Sequence, residues 1–404
     1  MKSKDITSNI LSQPTSRQKL AGTNLEFAHV LNQRVVLETV RLRGPISRAE
    51  ISGHTDLTNQ TISNIVDKLL DRGLLEILGR RRGQRGQPAI EVNINPRGGY
   101  GVGVHLDRDH LTIVLLDLAG TALNRSHLEW SFPSPDEALP IIVTMIHSLV
   151  EEQGLRIDDL WGVGVGLPGP LDVQAGTLIA PPNFPGWDGV PLRNILNEEL
   201  GIPIFLETDA MAAAMGERWF GAGRELDDYF YVFFGIGIGG GMILNGQPYR
   251  GAFANAGMFG HLPVGASKDR CPCGGLGCLE LSVSLSSLFA ALGQKNLKDG
   301  IAELSGLLDA NDPVLMGWLE NASDSLAAGL ITVEHLLGPK AIIFGGRLPD
   351  RLQRWMINRL ETKLPERQMR ALTHHPLLMQ ATAAENSAAL GAATLPLFNE
   401  FAPG

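Results

Sequence analysis

Between Phe27 and Arg43 the apolar residues Val30, Leu31, Val35, Val36, Leu37 and Val40 recur at a spacing that suits a helix, and Gly44-Pro45 ends it. A second helix is predicted immediately afterwards, because Ser47 and Glu50 form an S-x-x-E capping box: the serine oxygen accepts from a free backbone N–H and the glutamate reaches back to the cap. The turn around Gly53 to Leu57 leads to Thr58, the expected N-cap of a third helix. There Ile62, Ile65, Val66, Leu69 and Leu70 make one apolar stripe at i, i+3, i+4, i+7 and i+8 that stops near Gly73. Two strands, Leu74 to Leu78 and Ala89 to Ile94, then flank the Gly-rich basic stretch Gly79 to Pro88. Beyond Pro96 the pattern alternates between β and α signals. Strands are predicted at Gly101–His105, Thr112–Leu116, Trp161–Val165, Ile204–Leu206, Phe230–Phe234 and Ala341–Phe344, which defines an α/β body. Glycine-rich turns follow several of them, at Gly166 to Asp172, Gly235 to Gly241 and Gly345-Gly346, where backbone N–H groups can approach a sugar or phosphate closely.

The polar face of the third helix changes the picture. Thr58, Asn59, Gln60, Thr61, Ser63, Asn64 and Lys68 are short, amide-bearing or basic, and they cluster toward the helix start, where a recognition helix meets base edges. Arg80, Arg81, Arg82 and Arg85 occupy the hairpin loop that follows, a wing suited to phosphates or a narrow minor groove. Helix, capped helix, recognition helix and basic wing in this order predict a winged helix-turn-helix over residues 27–95, after a polar tail over 1–26 and before a body over 96–404. The net charge of −9 over 404 residues would argue against nucleic acid, but it is unevenly spread. Residues 1–100 hold 15 basic against 9 acidic side chains, a balance of +6 that leaves −15 for the rest. No window approaches 18 uninterrupted apolar residues and the opening residues lack an apolar leader, so the expectation is a cytoplasmic protein without a membrane partner.

All three cysteines, Cys271, Cys273 and Cys278, lie within eight residues, which argues against a disulfide framework. Gly260-His261 precedes Cys271-Pro272-Cys273-Gly274-Gly275-Leu276-Gly277-Cys278-Leu279-Glu280. At these residues, and at the glycine-rich turns, the chain resembles the ROK family of repressors and sugar kinases over roughly 27–396. With its head it is most similar to the regulator branch, the glucose and N-acetylglucosamine repressors. The resemblance implies an actin-like two-lobed body. Its first lobe would span about 96–206 plus a C-terminal helix at about 386–404, and its second lobe about 207–385. The motif's imidazole and three thiolates, from His261, Cys271, Cys273 and Cys278, would make a closed tetrahedral structural Zn2+ site.

The resemblance also implies a sugar site between the lobes, formed by Gly169, Asn183, Thr208, Asp209, Met258, His261 and Glu280. Asn183 lies in a match to the family's P-N-x-P-G-W, and Asp209 takes the acidic position of its N-D-A-N-A-A-A motif. Two positions depart from the pattern: Thr208 replaces asparagine, and Met258 replaces the glutamate three residues before His261. A sugar hydroxyl facing Met258 would go unpaired at a cost of roughly 1–3 kcal/mol, so a less hydroxylated or differently configured sugar, or a sugar derivative, fits better than glucose. The kinase phosphate motif D-x-G-G-T is replaced by His105-Leu106-Asp107-Arg108-Asp109, which puts histidine at the magnesium carboxylate and charge where glycine should meet phosphate. The expectation is a non-enzymatic repressor that binds double-stranded operator DNA as a homodimer or homotetramer under control of a sugar effector. The alternatives are a sugar kinase with an accessory DNA-binding head, or a regulator whose body binds a protein.

Overall fold

A computed structural model of the chain describes residues 25–80, 89–182, 184–264, 269–293, 297–383 and 386–401. The head begins with the helix Leu25–Arg43, followed by Arg48–His54 and Asn59–Asp71. The capping box is formed as the pattern predicts: the Ser47 Oγ accepts from Glu50 N–H, and the Glu50 carboxylate accepts from Ser47 N–H at 2.9 Å. Thr58 caps the third helix through Thr61 N–H, and Ile62, Ile65, Val66 and Leu69 are buried beneath it. Strands Leu75–Arg80 and Ile90–Ile94 pair antiparallel, with a bulge between Ile77 and Gly79. A two-residue strand, Ile46–Ser47, adds to the far edge of Ile90–Ile94 and completes a three-stranded sheet. That strand was not legible, because two residues carry no periodicity. Val30, expected on the apolar face of the first helix, is 44% exposed; the buried stripe there is Val36, Leu37 and Val40.

The body repeats one sheet plan twice. In the first sheet, Tyr100–Leu106 pairs antiparallel with His110–Asp117, which pairs with Ala122–Glu129; on its other side lie the parallel strands Leu160–Leu167 and Ile204–Thr208. In the second, Tyr229–Phe234 pairs antiparallel with Ile238–Leu244, then Gln247–Pro248, and on its other side parallel with Ala341–Gly346 and Leu377–Gln380. Each sheet therefore has the order 3-2-1-4-5, an antiparallel meander extended by two parallel strands, the duplicated architecture expected of an actin-like body. Between the sheets run the helices Asp209–Phe220 and Ser387–Phe401, packed so closely that a Cβ on Gly391 would collide with the carbonyl oxygen of Ala212.

The duplication places two equivalent turns face to face. The first hairpin of sheet one turns through Asp107–Asp109, and that of sheet two through Gly235–Gly237. A Cβ placed on Gly235 would stand 3.6 Å from Asp107 Oδ2, and one on Gly237 3.4 Å from Arg108 Nη2. The stretch Gly235 to Gly241 was expected to be one long turn. Only its first residues turn; Gly239, Gly240 and Gly241 lie in strand Ile238–Leu244, where Ala210, Phe230 and Phe259 leave no room for side chains.

The head is not tethered loosely. Its core runs on into the body through Leu118, Trp161, Trp219, Phe220 and Leu397, and the Arg41 guanidinium lies 4.5 Å over the Trp219 ring. The connection at Pro96–Gly98 is a 3-10 turn fixed by Asn95, whose amide donates to the Gly73 carbonyl at 2.7 Å.

Candidate functional site

A cleft of about 600 Å3, open mouth included, lies between the two turns. Six of the seven expected sugar-site residues line it: Gly169, Thr208, Asp209, Met258, His261 and Glu280. Asn183 lies outside the described residues. Thr208 and Asp209 meet there because strand Ile204–Thr208 ends where helix Asp209–Phe220 starts, with the Thr208 hydroxyl accepting from Met211 N–H as its N-cap. Met258 reaches the cleft from the loop after the second sheet's meander, near Gly169. Glu280 opens the helix Glu280–Val283, and its carboxylate accepts from Ile238 N–H at 3.2 Å.

Arg108 also lines the cleft, a residue to which the sequence reading gave no role of its own. Its Nε donates to Asp107 Oδ1 at 3.2 Å, and Glu280 and Asp209 face it as well. Although burial works against ionisation, the Arg108 guanidinium holds the Asp107 carboxyl below the usual carboxylate range. Burial first, then the Asp107 charge, push the Asp209 carboxyl up to about 7.

Behind the cleft lies a buried polar chain. His105 Nδ1 meets His110 Nε2 at 3.1 Å; His110 Nδ1 meets Asp109 Oδ1 at 2.6 Å; Arg347 bonds Asp109 and reaches Glu129 at 3.4 Å. Burial, reinforced by His110, takes the His105 imidazole down to about 3, so it is neutral. Arg347 belongs to the second sheet's side and Asp109 to the first, so this pair latches the lobes together. Glu207 with Arg250, at 2.6 Å, is a second latch. Neither latch was predicted, since pairs more than 40 residues apart carry no local signal.

The expected metal ligands converge. His261 Nδ1 lies 3.8 Å from Cys271 Sγ, Cys273 Sγ lies 3.7 Å from Cys278 Sγ, and all four ligand atoms fall within 4.8 Å of one another. Thiolates bound to zinc at about 2.3 Å in a tetrahedron stand about 3.8 Å apart, so the residues present fit such an ion. Burial, with the neighbouring Cys273 and Cys271 thiols, pushes the Cys278 thiol up to about 12; a cation held among the sulfurs would remove that penalty.

On the head, Thr58, Asn59, Gln60, Asn64 and Lys68 are exposed, with Thr61 and Ser63 half-buried. Gln60 donates to Asn64 Oδ1 at 3.1 Å, so their amides are aligned on one face, while Lys68 Nζ turns to His29 Nε2 of the first helix at 2.9 Å. Arg80 ends its strand; Arg81, Arg82 and Arg85 lie outside the described residues.

A three-helix head with a short sheet, on a duplicated α/β body with a cleft between its halves, defines a DNA-binding head joined to a sugar-kinase-like sensor. The chain belongs to the ROK family, whose model matches residues 101–397. It is 28% identical over 369 residues to the xylose repressor of Bacillus subtilis (strain 168), covering 91% of this chain and 95% of that one. Its fold is that of a ROK family transcriptional regulator described as a homolog of the E. coli MLC protein, with TM-score 0.73, 22% identity, and 93% and 98% of the two chains covered. A ROK family glucokinase from Streptomyces griseus, solved with glucose and AMPPNP, matches 74% of this chain and 99% of its own at TM-score 0.60 and 26% identity. Among the described residues no helix is long and apolar enough to cross a membrane.

Proposed function

We propose that this protein is a sugar-responsive transcriptional repressor whose kinase-like body senses and does not phosphorylate. The observation that carries the reading is the head's shared core with a body in which Arg108 fills the phosphate turn. The glycine hydrogen that would admit a phosphate oxygen is replaced by a guanidinium already neutralised by Asp107, with a carboxylate beside it that repels phosphate. The exposed Asn59, Gln60 and Asn64 would read base edges, and the arginines of the wing the backbone or minor groove. A homodimer or homotetramer would present paired heads to a roughly palindromic operator. Zinc would hold the loop that carries His261 and Glu280.

The effector would sit against Asp209, His261 and Glu280. Met258 offers no acceptor, which favours a sugar with one hydroxyl group fewer than glucose at that position. A pentose such as xylose, named in the relative's description, is the first candidate. Signal transfer has a physical route. Helix Asp209–Phe220 begins at the cleft and ends, about 17 Å away, at Trp219 and Phe220 under the head. An effector that binds one setting of this helix more tightly shifts the population of head arrangements.

The test is enrichment of genomic DNA fragments by the purified zinc-loaded protein, followed by gel-shift titration with xylose, glucose and N-acetylglucosamine. A palindromic site released by one sugar supports the reading; no enriched site from a folded protein overturns it. The kinase reading is supported by the likeness to sugar kinases such as the glucokinase. It predicts ATP turnover in a coupled assay over the same sugars, where we expect none.

A further inference from the structure

We propose a second metal site, distinct from the cysteine cluster, in which His105, Asp107 and Asp209 hold a first-row divalent cation where the cleft meets the buried polar chain behind it. The donor atoms these three side chains offer lie within 4.8 Å of one another. Two of them are unaccounted for. His105 and Asp107 are 3% and 0% exposed, yet His105 Nε2 and Asp107 Oδ2 have no hydrogen-bond partner. A buried polar atom without a partner costs about 1–3 kcal/mol, so two side by side in a well-packed turn call for an occupant.

The rest of each side chain is spent, which fixes the free atom. His105 Nδ1 is taken by His110, and Asp107 Oδ1 by the backbone N–H and Nε of Arg108. With His110 donating its Nδ1–H to Asp109, its Nε2 accepts from His105 Nδ1–H, which leaves the His105 lone pair on the unpartnered Nε2, the form a metal ligand requires. Asp109 and His110, whose atoms also lie near Asp107, are committed to Arg347 and to each other, so the neighbouring cluster is closed.

Charge points the same way. Asp107, Asp209 and Glu280 gather around the single guanidinium of Arg108, so the acidic groups outnumber the one cation and a dication would offset them. One imidazole with two carboxylates is a borderline donor set that suits Zn2+, Mn2+, Fe2+ or Co2+ better than Mg2+. Three donors also leave coordination positions open. Asp209 lines the cleft, so those positions would face its ligand; this last consequence rests on the sugar reading, whereas the site itself does not.

Anaerobic Co2+ titration of the chelator-stripped, full-length protein tests it. Two equivalents are expected. The first brings intense thiolate-to-metal charge transfer, and the second only weak d–d bands. His105→Gln and Asp209→Asn should each keep the thiolate band and bind the second equivalent at least tenfold more weakly. A single equivalent in the unaltered protein, or a second equivalent undiminished in both variants, overturns the proposal. If a variant loses the thiolate band, and with it the fold, the unaltered protein decides through paramagnetically shifted imidazole N–H signals: one histidine for the first ion and another for the second support the site, and no added histidine overturns it.

Discussion

The two turns that face each other across the cleft occupy equivalent places in equivalent sheets, and they have been filled in opposite ways. Gly235–Gly237 presents bare backbone, while Asp107–Arg108–Asp109 presents three buried charges. Bare backbone is what phosphate binding needs, and it needs it from both sides. On the proposed reading, a chain that keeps glycine on one side alone would no longer cradle a nucleotide, while its cleft keeps both walls and the charged turn gives the first lobe something to grip. Arg347 from the second lobe holds Asp109, so a turn that would have held substrate now holds the other lobe.

The largest way to break this arrangement is to remove one of the four side chains that would hold the proposed zinc beside the glycine wall. In Cys278→Ser the Co2+ thiolate band should vanish and the second lobe should lose about 5 kcal/mol of stability, read by denaturant unfolding, because metal binding and folding are one equilibrium in such loops. Next comes the charged turn. Arg108→Ala leaves Asp107 buried and unpaired and should cost about 3–5 kcal/mol. Asp107→Gly with Arg108→Gly makes the first turn resemble the second and removes both charges together. It should be less destabilising than the sum of the single changes by roughly 2–3 kcal/mol, a non-additivity that urea titration of the four proteins measures.

These turns also mark how far the sequence could be read. The three helices and the hairpin of the head were legible because each carried its own local signal, the Ser47–Glu50 box, the stripe from Ile62 to Leu69 and the paired strands, whereas the two-residue strand Ile46–Ser47 carried none. In the body the buried strands declared themselves by continuous apolar runs, but Ala122–Glu129 did not. It is an edge strand with mostly half-exposed and exposed side chains, and so no alternation to see. Gly239–Gly241 misled in the other direction, since glycine there answers to the close approach of Ala210 at Gly239 and Gly241 and of Phe230 and Phe259 at Gly240, which is known only once the chain is folded. For the cleft, the motif resemblance named the residues that converge, but the meaning of Arg108 and the existence of the Arg347 latch depend on partners up to 238 residues away.

A smaller effect sharpens the comparison from the ligand side. Met258→Glu restores a carboxylate between the turns, and calorimetry should then detect glucose binding roughly tenfold tighter than in the unaltered protein, matching one regained hydrogen bond of roughly 1–2 kcal/mol. The same change should leave operator affinity in the absence of sugar unaltered, since Met258 lines the cleft beside Gly169.

The smallest effect lies farthest from the cleft. If helix Asp209–Phe220 carries the signal, its far end must bear differently on the head in the two states, and the charged element of that contact is the Arg41 guanidinium, which lies over Trp219 and is also paired with Glu38 at 2.6 Å. A cation–π contact is worth about 0.5–2 kcal/mol, the upper part of that range applying where, as here, both partners are buried. Arg41→Met keeps an apolar chain on the ring and removes the charge. Operator affinity without sugar and sugar affinity without operator should each change little, whereas the ratio of operator affinities with and without sugar should fall about two- to fivefold. Gel-shift titration in both conditions reads that ratio directly. An unchanged ratio would move the route from the end of this helix to its neighbour Ser387–Phe401, whose Leu397 shares the head's core.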